Sequence, residues 1–92
     1  MHEEAMLRDV IRKAEEVAQR EGGQRVTRVR LWLGARSHLT GQDFRDRWAD
    51  AVGGTVLARA EVEVEVSRDP NDPRAERVML QSLDVESGEE PS

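Results

Sequence analysis

The residues with the clearest capacity for chemistry stand at the start of the chain, in the order Met1-His2-Glu3. A free terminal amine, the amide nitrogens that follow it and the imidazole of His2 can close successive chelate rings around one ion. Such a near-planar set of nitrogen donors suits Ni²⁺ or Cu²⁺ better than Zn²⁺ or Mg²⁺, because the former favour square or tetragonal geometry. The alternative is that His2 is an exposed side chain in a frayed terminus and has no function.

Other chemistry has little support in the sequence. His38 is the only other histidine, and it becomes a further metal ligand only if the fold brings its loop toward the N-terminus. The absence of cysteine excludes disulfides, thiolate zinc sites and thiol nucleophiles. No carboxylate lies in an apolar segment that would raise its pKa for acid–base catalysis, and no serine stands in a nucleophile elbow. We therefore expect no enzyme activity and no zinc site.

Length and charge narrow the function further. The chain has 92 residues, of which 37% are apolar and 36% charged, and this composition fits one small domain with a thin core. Nineteen acidic against fourteen basic residues give a net charge of −5, the wrong sign for a surface that binds phosphates. Neither a signal peptide nor a membrane-spanning segment is evident. We expect a cytoplasmic protein that binds neither nucleic acid nor membranes.

The hydrophobic pattern predicts two helices and three strands. Apolar residues at three- and four-residue steps indicate helices, whereas strict alternation indicates strands with one wet face. Thr40 followed by Asp43 resembles a capping box at the start of the second helix. In chain order, the predicted elements are a helix over Glu4–Glu21, a strand over Val26–Leu33, a helix over Gly41–Val52, and strands over Val56–Val66 and Arg77–Glu86.

This order, helix-strand-helix-strand-strand, predicts an α+β fold with both helices packed on one face of a three-stranded sheet. Residues 1–86 form a single domain in this interpretation, and residues 87–92 form a disordered tail. The turn at 67–76 contains two prolines and several Asx residues, which predicts a hairpin between the last two strands. Val26 breaks the alternation and indicates either an edge or a bulge, and the pair Gln81-Ser82 indicates a bulge.

The wet face of the predicted sheet carries a second candidate site. Arg28, Arg30 and Trp32 alternate along the first strand, and a row of glutamates occupies the next strand at Glu61, Glu63 and Glu65. If the two strands are neighbours, these charges pair across the sheet. Trp32 is either half covered by arginine side chains or anchors a partner protein, so Arg28, Arg30 and Trp32 form the candidate partner surface.

Four blocks of sequence, in order, resemble the HypA/HybF family of accessory proteins that incorporate nickel during hydrogenase maturation. Met1-His2-Glu3 is similar to the family's start, and the segment from Gly22 to Gly34 is similar to its strand Gly-Ala-x-Arg-Val ending in glycine. Gly54-Thr55-Val56, leading into the valine alternation, is similar to the next strand. Val78 to Glu86, which includes Ser82-Leu83-Asp84-Val85-Glu86, is similar to the closing strand.

The resemblance implies a function and a metal site. It implies a metallochaperone that holds Ni²⁺ transiently through the Met1 amine, His2 and the backbone or carboxylate of Glu3. The metal would go to a maturing nickel enzyme, in the first place a [NiFe]-hydrogenase. The implied partners are the hydrogenase large subunit or a nickel-loading GTPase accessory protein. Because the ligands must lose protons to bind, affinity is expected to fall below roughly pH 6.5.

This chain departs from the family pattern between the second and third strands. There the family inserts a zinc-binding domain with paired Cys-x-x-Cys motifs, whereas only Ser67 to Glu76 fills that place here. An alternative is therefore a protein-interaction or regulatory module that has kept the HypA fold but no longer binds or transfers metal. The chain is expected to be a monomer or a homodimer, since an exposed edge strand at Val56–Val66 or Arg77–Glu86 could pair with a second copy.

Overall fold

The computed structural model of the chain describes residues 2–37 and 39–87, and it describes residues 2, 3, 23, 24 and 87 by their backbone alone. It confirms the α+β class and the predicted order of elements. The elements are α1 (His2–Arg20), β1 (Gly23–Leu33), α2 (Gly41–Ala51), β2 (Glu61–Val66) and β3 (Val78–Ser87). In the described part of the chain, neither helix is both long and apolar enough to cross a membrane.

The sheet has the strand order β2-β1-β3, so the predicted hairpin between β2 and β3 is wrong. β1 lies between them, parallel to β2 and antiparallel to β3. Residues 67–77, which we call the crossover link, therefore pass over the end of β1 from one edge of the sheet to the other. Turn residues predict a reversal of the chain, but they do not specify which strand is the next neighbour.

The core lies on one face of the sheet, between the strands and both helices, as predicted. Val29, Leu31 and Leu33 of β1 are fully buried on that face. α1 packs over β1 and β3, while α2 packs over β2. The helical residues that complete the cluster are Leu7, Val10, Ile11, Ala14 and Ala18 of α1 and Phe44 and Trp48 of α2, with Val52 at the end of α2.

The predicted strand over Val56–Val66 is only half confirmed, because β2 begins at Glu61. Residues 53–59 form bends and tight turns instead, with Ala58 N–H donating to Thr55 O at 3.1 Å and Ala60 N–H donating to Leu57 O at 3.1 Å. These turns bury Leu57 completely. The alternation from Val56 to Ala60 placed Leu57 on the wet side. Burial of this large apolar side chain in the core outweighs an alternation that includes two small alanines.

Bulges are present at both of these positions. The register between β1 and β3 shifts between Val26 and Arg28, and again between Arg30 and Leu31, where Gln81 is the extra residue of β3. The shifts keep Val26 buried on the core face despite its phase. β3 continues through Ser87, the first residue of the segment predicted as a disordered tail, and residues 88–92 lie outside the described residues.

Candidate metal centre

The predicted metal site lies at the start of α1. This helix begins at His2, two residues earlier than the sequence predicted, so the backbone of His2 and Glu3 belongs to its first turn. Met1 lies outside the described residues. The first four N–H groups of an α-helix have no acceptor within the helix. Amide nitrogens of His2 and Glu3 can therefore serve a metal ion without breaking a hydrogen bond of the helix.

The rest of α1 fixes the position of this first turn. Leu7, Val10 and Ile11 are 6%, 2% and 8% exposed, so the helix is packed into the core from its second turn onward. The positive end of the helix dipole also lies at this terminus, and it favours anionic groups there. A carboxylate or a deprotonated amide is such a group. The arrangement can thus present a short, local set of nitrogen and oxygen donors at the head of an anchored helix.

His38, the other predicted ligand, lies outside the described residues, but the residues on both sides of it are held by the body of the protein. Ser37 is 2% exposed, and its N–H donates to Gly34 O at 3.1 Å. Leu39 packs against the hydrophobic core. Within residues 2–37 and 39–87, no group of three or more His, Asp and Glu side chains is arranged to hold a metal ion. The described part therefore contains no competing metal cluster.

On the wet face of the sheet, the predicted pairing of charges is confirmed. Arg28 contacts Glu61 at 3.2 Å and Glu63 at 3.3 Å, and Arg30 contacts Glu63 at 3.0 Å. The hydrogen bond to Glu61 and the charge of Glu63 raise the pKa of Arg28 above its ordinary value. These partners face each other because β1 and β2 pair in register, with Arg28 opposite Glu61 and Arg30 opposite Glu63. Arginines of β1 thus pair with two of the three glutamates, whereas Glu65 accepts a hydrogen bond from Gln81 at 3.2 Å.

Trp32, the third residue of the candidate partner surface, is covered by an arginine that the sequence did not indicate. The guanidinium carbon of Arg74 lies 5.2 Å from the centre of the Trp32 ring, a cation–π contact. Asp72 orients this guanidinium at 3.1 Å, and the hydrogen bond lowers the pKa of the Asp72 carboxyl. Arg74 thus covers part of the Trp32 ring, which remains half-buried. The pairing could be found only once the path of the crossover link was known.

The crossover link is bound to the end of β1 mainly by backbone groups. Gly34 N–H donates to Arg77 O at 2.8 Å, and Arg36 N–H donates to Ala75 O at 2.7 Å. Ala75 is 4% exposed. A Cβ added to Gly34 would collide with the carbonyl of Ala75 and lie 2.6 Å from Arg74 O. Sequence reasoning missed this contact, because Gly34 and Ala75 show their roles only when the two segments are placed together.

Comparison with known proteins adds the observation that decides the family. A family model described as hydrogenase/urease nickel incorporation, metallochaperone, HypA matches residues 1–70. This chain belongs to the HypA family. The family is one of metallochaperones rather than enzymes, as the sequence predicted. The matched region includes Met1-His2-Glu3 and runs through β2 into the crossover link.

Solved HypA structures have the same fold. The solution structure of the Ni metallochaperone HypA from Helicobacter pylori superposes with a TM-score of 0.73 and 15% identity, covering 90% of this chain and 96% of that one. A solution structure of another HypA protein gives a TM-score of 0.70 and 16% identity, covering 95% of this chain and 98% of that one. No curated protein sequence matches. At such low identity these likenesses show the fold alone.

The place expected for a zinc-binding domain is occupied here by the crossover link, residues 67–77, which alone joins β2 to β3. The chain contains no cysteine, so it lacks the paired Cys-x-x-Cys motifs that the resemblance associates with that domain. In this chain the crossover link therefore joins β2 to β3 of the HypA fold directly, without an inserted domain.

Proposed function

We propose that this chain binds one Ni²⁺ at its N-terminus and passes it to a maturing nickel enzyme. The observation that carries the proposal is the family match over residues 1–70, which includes Met1-His2-Glu3 at the head of a helix that begins at His2. The Met1 amine, the His2 imidazole and the backbone or carboxylate of Glu3 are the proposed ligands. His38 is a candidate additional ligand. In this proposal residues 1–86 act as a single nickel-binding domain.

The donor set accounts for transient binding. An amine, an imidazole and deprotonated amides suit the square or tetragonal geometry that Ni²⁺ favours. Each of these ligands must be free of its proton, and a free imidazole takes up a proton near pH 6.5. Affinity therefore falls as the pH drops through this range. A recipient with more ligands, or with thiolates, takes the metal from a site formed by three residues at a chain end.

The proposed recipients are a hydrogenase large subunit or a nickel-loading GTPase accessory protein. The family description names both hydrogenase and urease, and we propose the hydrogenase branch for this chain. The second candidate function is that of a protein-interaction or regulatory module that neither binds nor transfers metal. The crossover link in place of a zinc domain favours this alternative, for which Arg28, Arg30 and the half-buried Trp32 are the proposed partner surface.

Isothermal titration of the full chain, beginning at Met1, with Ni²⁺ tests the proposal. We expect one ion per chain and a loss of affinity of about 100-fold or more in His2→Ala. Loss of a direct ligand should exceed the effect of about 10–100-fold that is typical of removing a group that only orients a ligand. Acetylation of the Met1 amine should have a similar effect, because it converts this amine into an amide and so removes one of the proposed donors. Circular dichroism checks that each variant keeps its helices.

His38→Ala is the matched control, since it removes the only other imidazole in the chain. Unchanged affinity in this variant assigns the site to residues 1–3 alone, and a smaller loss than in His2→Ala assigns His38 as an additional ligand. Equal binding by the wild type, His2→Ala and the acetylated chain would contradict the site. Failure of the wild type to bind Ni²⁺ would instead favour the interaction module.

A further inference from the structure

The two edges of the sheet differ in their capacity to pair with another strand. β2 presents Glu61, Glu63 and Glu65 on its wet face, and α2 packs over its other face. A second β2 laid against this edge would bring rows of like charges together, which destabilises strand pairing. The glutamate row therefore protects the β2 edge.

The β3 edge has the opposite character. Its core-facing residues are all apolar and only half-buried: Val78, Leu80, Leu83 and Val85. Beside the first part of β3, a groove of about 390 Å³ separates the strand from α1. Val10 and Val17 of α1 line this groove together with Val78 and Leu80, and charged residues line the rest of it: Asp9, Lys13, Glu16, Arg20 and Arg77. The edge thus offers backbone groups and an apolar strip side by side.

We propose that a second copy of this chain pairs with this edge, β3 against β3 in antiparallel orientation, about a two-fold axis between Gln81 and Ser82. In this register Val78 lies opposite Val85 of the second copy, and Leu80 lies opposite Leu83. Paired residues of antiparallel strands share a face of the sheet. This register alone sets all four core-facing residues of β3 against apolar partners. Gln81, the bulge residue, falls at the centre, between two paired segments.

Charge complementarity supports the same register. Arg77 immediately precedes β3 and Glu86 lies near its end, and both residues are exposed. Within its own chain, Glu86 lies 3.5 Å from Arg25 of β1, an exposed ion pair that leaves the carboxylate accessible to a second arginine. With Val78 opposite Val85, Arg77 lies opposite Glu86 of the second copy. A two-fold axis makes every such contact twice, so each dimer gains two Arg–Glu pairs. Pairing would extend the sheet to six strands and cover part of the groove beside α1.

This inference is independent of nickel, because it depends on β3 and on neither Met1-His2-Glu3 nor His38. Analytical ultracentrifugation of the full, metal-free chain tests it over a range of protein concentrations. We expect a reversible dimer in the wild type. Arg77→Glu sets glutamate against glutamate, and Glu86→Arg sets arginine against arginine, so each change should weaken dimerisation about tenfold.

The decisive step is to mix these two variants. In a mixed dimer, the glutamate introduced by Arg77→Glu faces the arginine introduced by Glu86→Arg, and the unchanged Glu86 of the first copy faces the unchanged Arg77 of the second. Both pairs are thus restored. We expect the mixture to dimerise about as tightly as the wild type, within threefold, although each variant alone does not. Arg59→Glu is the matched control, because it makes the same change at an exposed turn residue before β2.

A wild type that stays monomeric at its highest soluble concentration would overturn the proposal. So would a dimer that Arg77→Glu weakens no more than Arg59→Glu does. A mixture that dimerises no better than its components would overturn the register. Circular dichroism of each variant shows whether the monomer is folded, so that unfolding is not mistaken for dissociation.

Discussion

The head of α1 and the crossover link represent two different ways in which this chain builds a functional region. At the head of α1, the candidate ligands are three consecutive residues, and covalent connectivity alone brings their donors together. The crossover link reaches its place through contacts between residues 67–77 and the segment from Leu33 to Arg36, which are distant in sequence. The proposed metal site is therefore local in sequence, whereas the closure of the fold depends on contacts between distant segments.

The crossover link also satisfies its own polar groups. Asn71 N–H donates to the Asp69 side chain at 2.9 Å, and Arg74 N–H donates to the Asp72 side chain at 2.8 Å. Each of these Asx turns fixes a part of the segment that the sequence predicted as a turn. Backbone hydrogen bonds from Gly34 and Arg36 then attach the link to the end of β1. We therefore predict that substitutions which disturb the contacts between the link and β1 destabilise the fold without altering the proposed metal ligands.

Gly34→Ala should give the largest effect on stability. The new methyl group collides with the carbonyl of Ala75 and forces apart the two backbone segments that Gly34 N–H and Arg36 N–H join. Overpacking together with weakened hydrogen bonds should lower the free energy of unfolding by about 2–4 kcal/mol. Urea denaturation followed by circular dichroism measures this change. Nickel affinity, measured where the variant is still folded, should equal that of the wild type.

Gly53→Ala is the matched control for this prediction. A Cβ at Gly53 would lie 3.9 Å from Asp50 O, an ordinary contact, so we expect a change in stability of less than about 1 kcal/mol. If both glycine variants were equally stable, the close approach of the link to β1 would not contribute as described. If Gly34→Ala weakened nickel binding in the folded state, the two regions would not be independent.

Substitution of Asp72, inside the crossover link, should lower stability less than Gly34→Ala does. Asp72→Asn removes the charge that orients Arg74 over Trp32, while Asp69→Asn is the matched change at an Asx turn without such an arginine contact. We expect Asp72→Asn to lower the denaturation midpoint at pH 7 slightly more than Asp69→Asn does. The shift should be a small fraction of that caused by Gly34→Ala.

The pH dependence of this difference follows from the lowered pKa of Asp72. A carboxyl whose pKa is lower in the folded state than in the unfolded chain stabilises the fold above its unfolded pKa. That contribution disappears as the pH falls through the folded value. The excess effect of Asp72→Asn should therefore be full at pH 7 and vanish in acid, as measured by urea denaturation followed by circular dichroism at each pH. An excess that persisted in acid would contradict the role given to the charge.

Much of the fold could be predicted, because its signals are local. The apolar stripe of α1, the Thr40 cap of α2 and the bulge at Gln81 all act within a few residues. The wrong predictions concern contacts between distant segments. Leu57 is pulled into the core against the local alternation, and β1 takes the place between β2 and β3 that a hairpin would have closed. Local periodicity carries no information about which strands become neighbours.

The candidate site likewise has parts that could be predicted from local sequence and one contact that could not. The ligand motif at Met1-His2-Glu3 could be found by inspection, since chelation needs only adjacent donors. The charge pairs between β1 and β2 could be predicted once these strands were assumed to be neighbours. Arg74 over Trp32 could not be predicted, because the two residues meet through the unexpected path of the crossover link.

Amide NMR spectroscopy of the full chain during a nickel titration tests the central claim most directly. We predict that one equivalent of Ni²⁺ perturbs the amides of the first turn of α1, from His2 onward, and leaves those of the crossover link unchanged. His2→Ala should abolish these perturbations. Perturbations centred on the glutamate row of β2, or on the crossover link, would contradict the assignment of the metal site to the N-terminus, as would an unchanged response in His2→Ala.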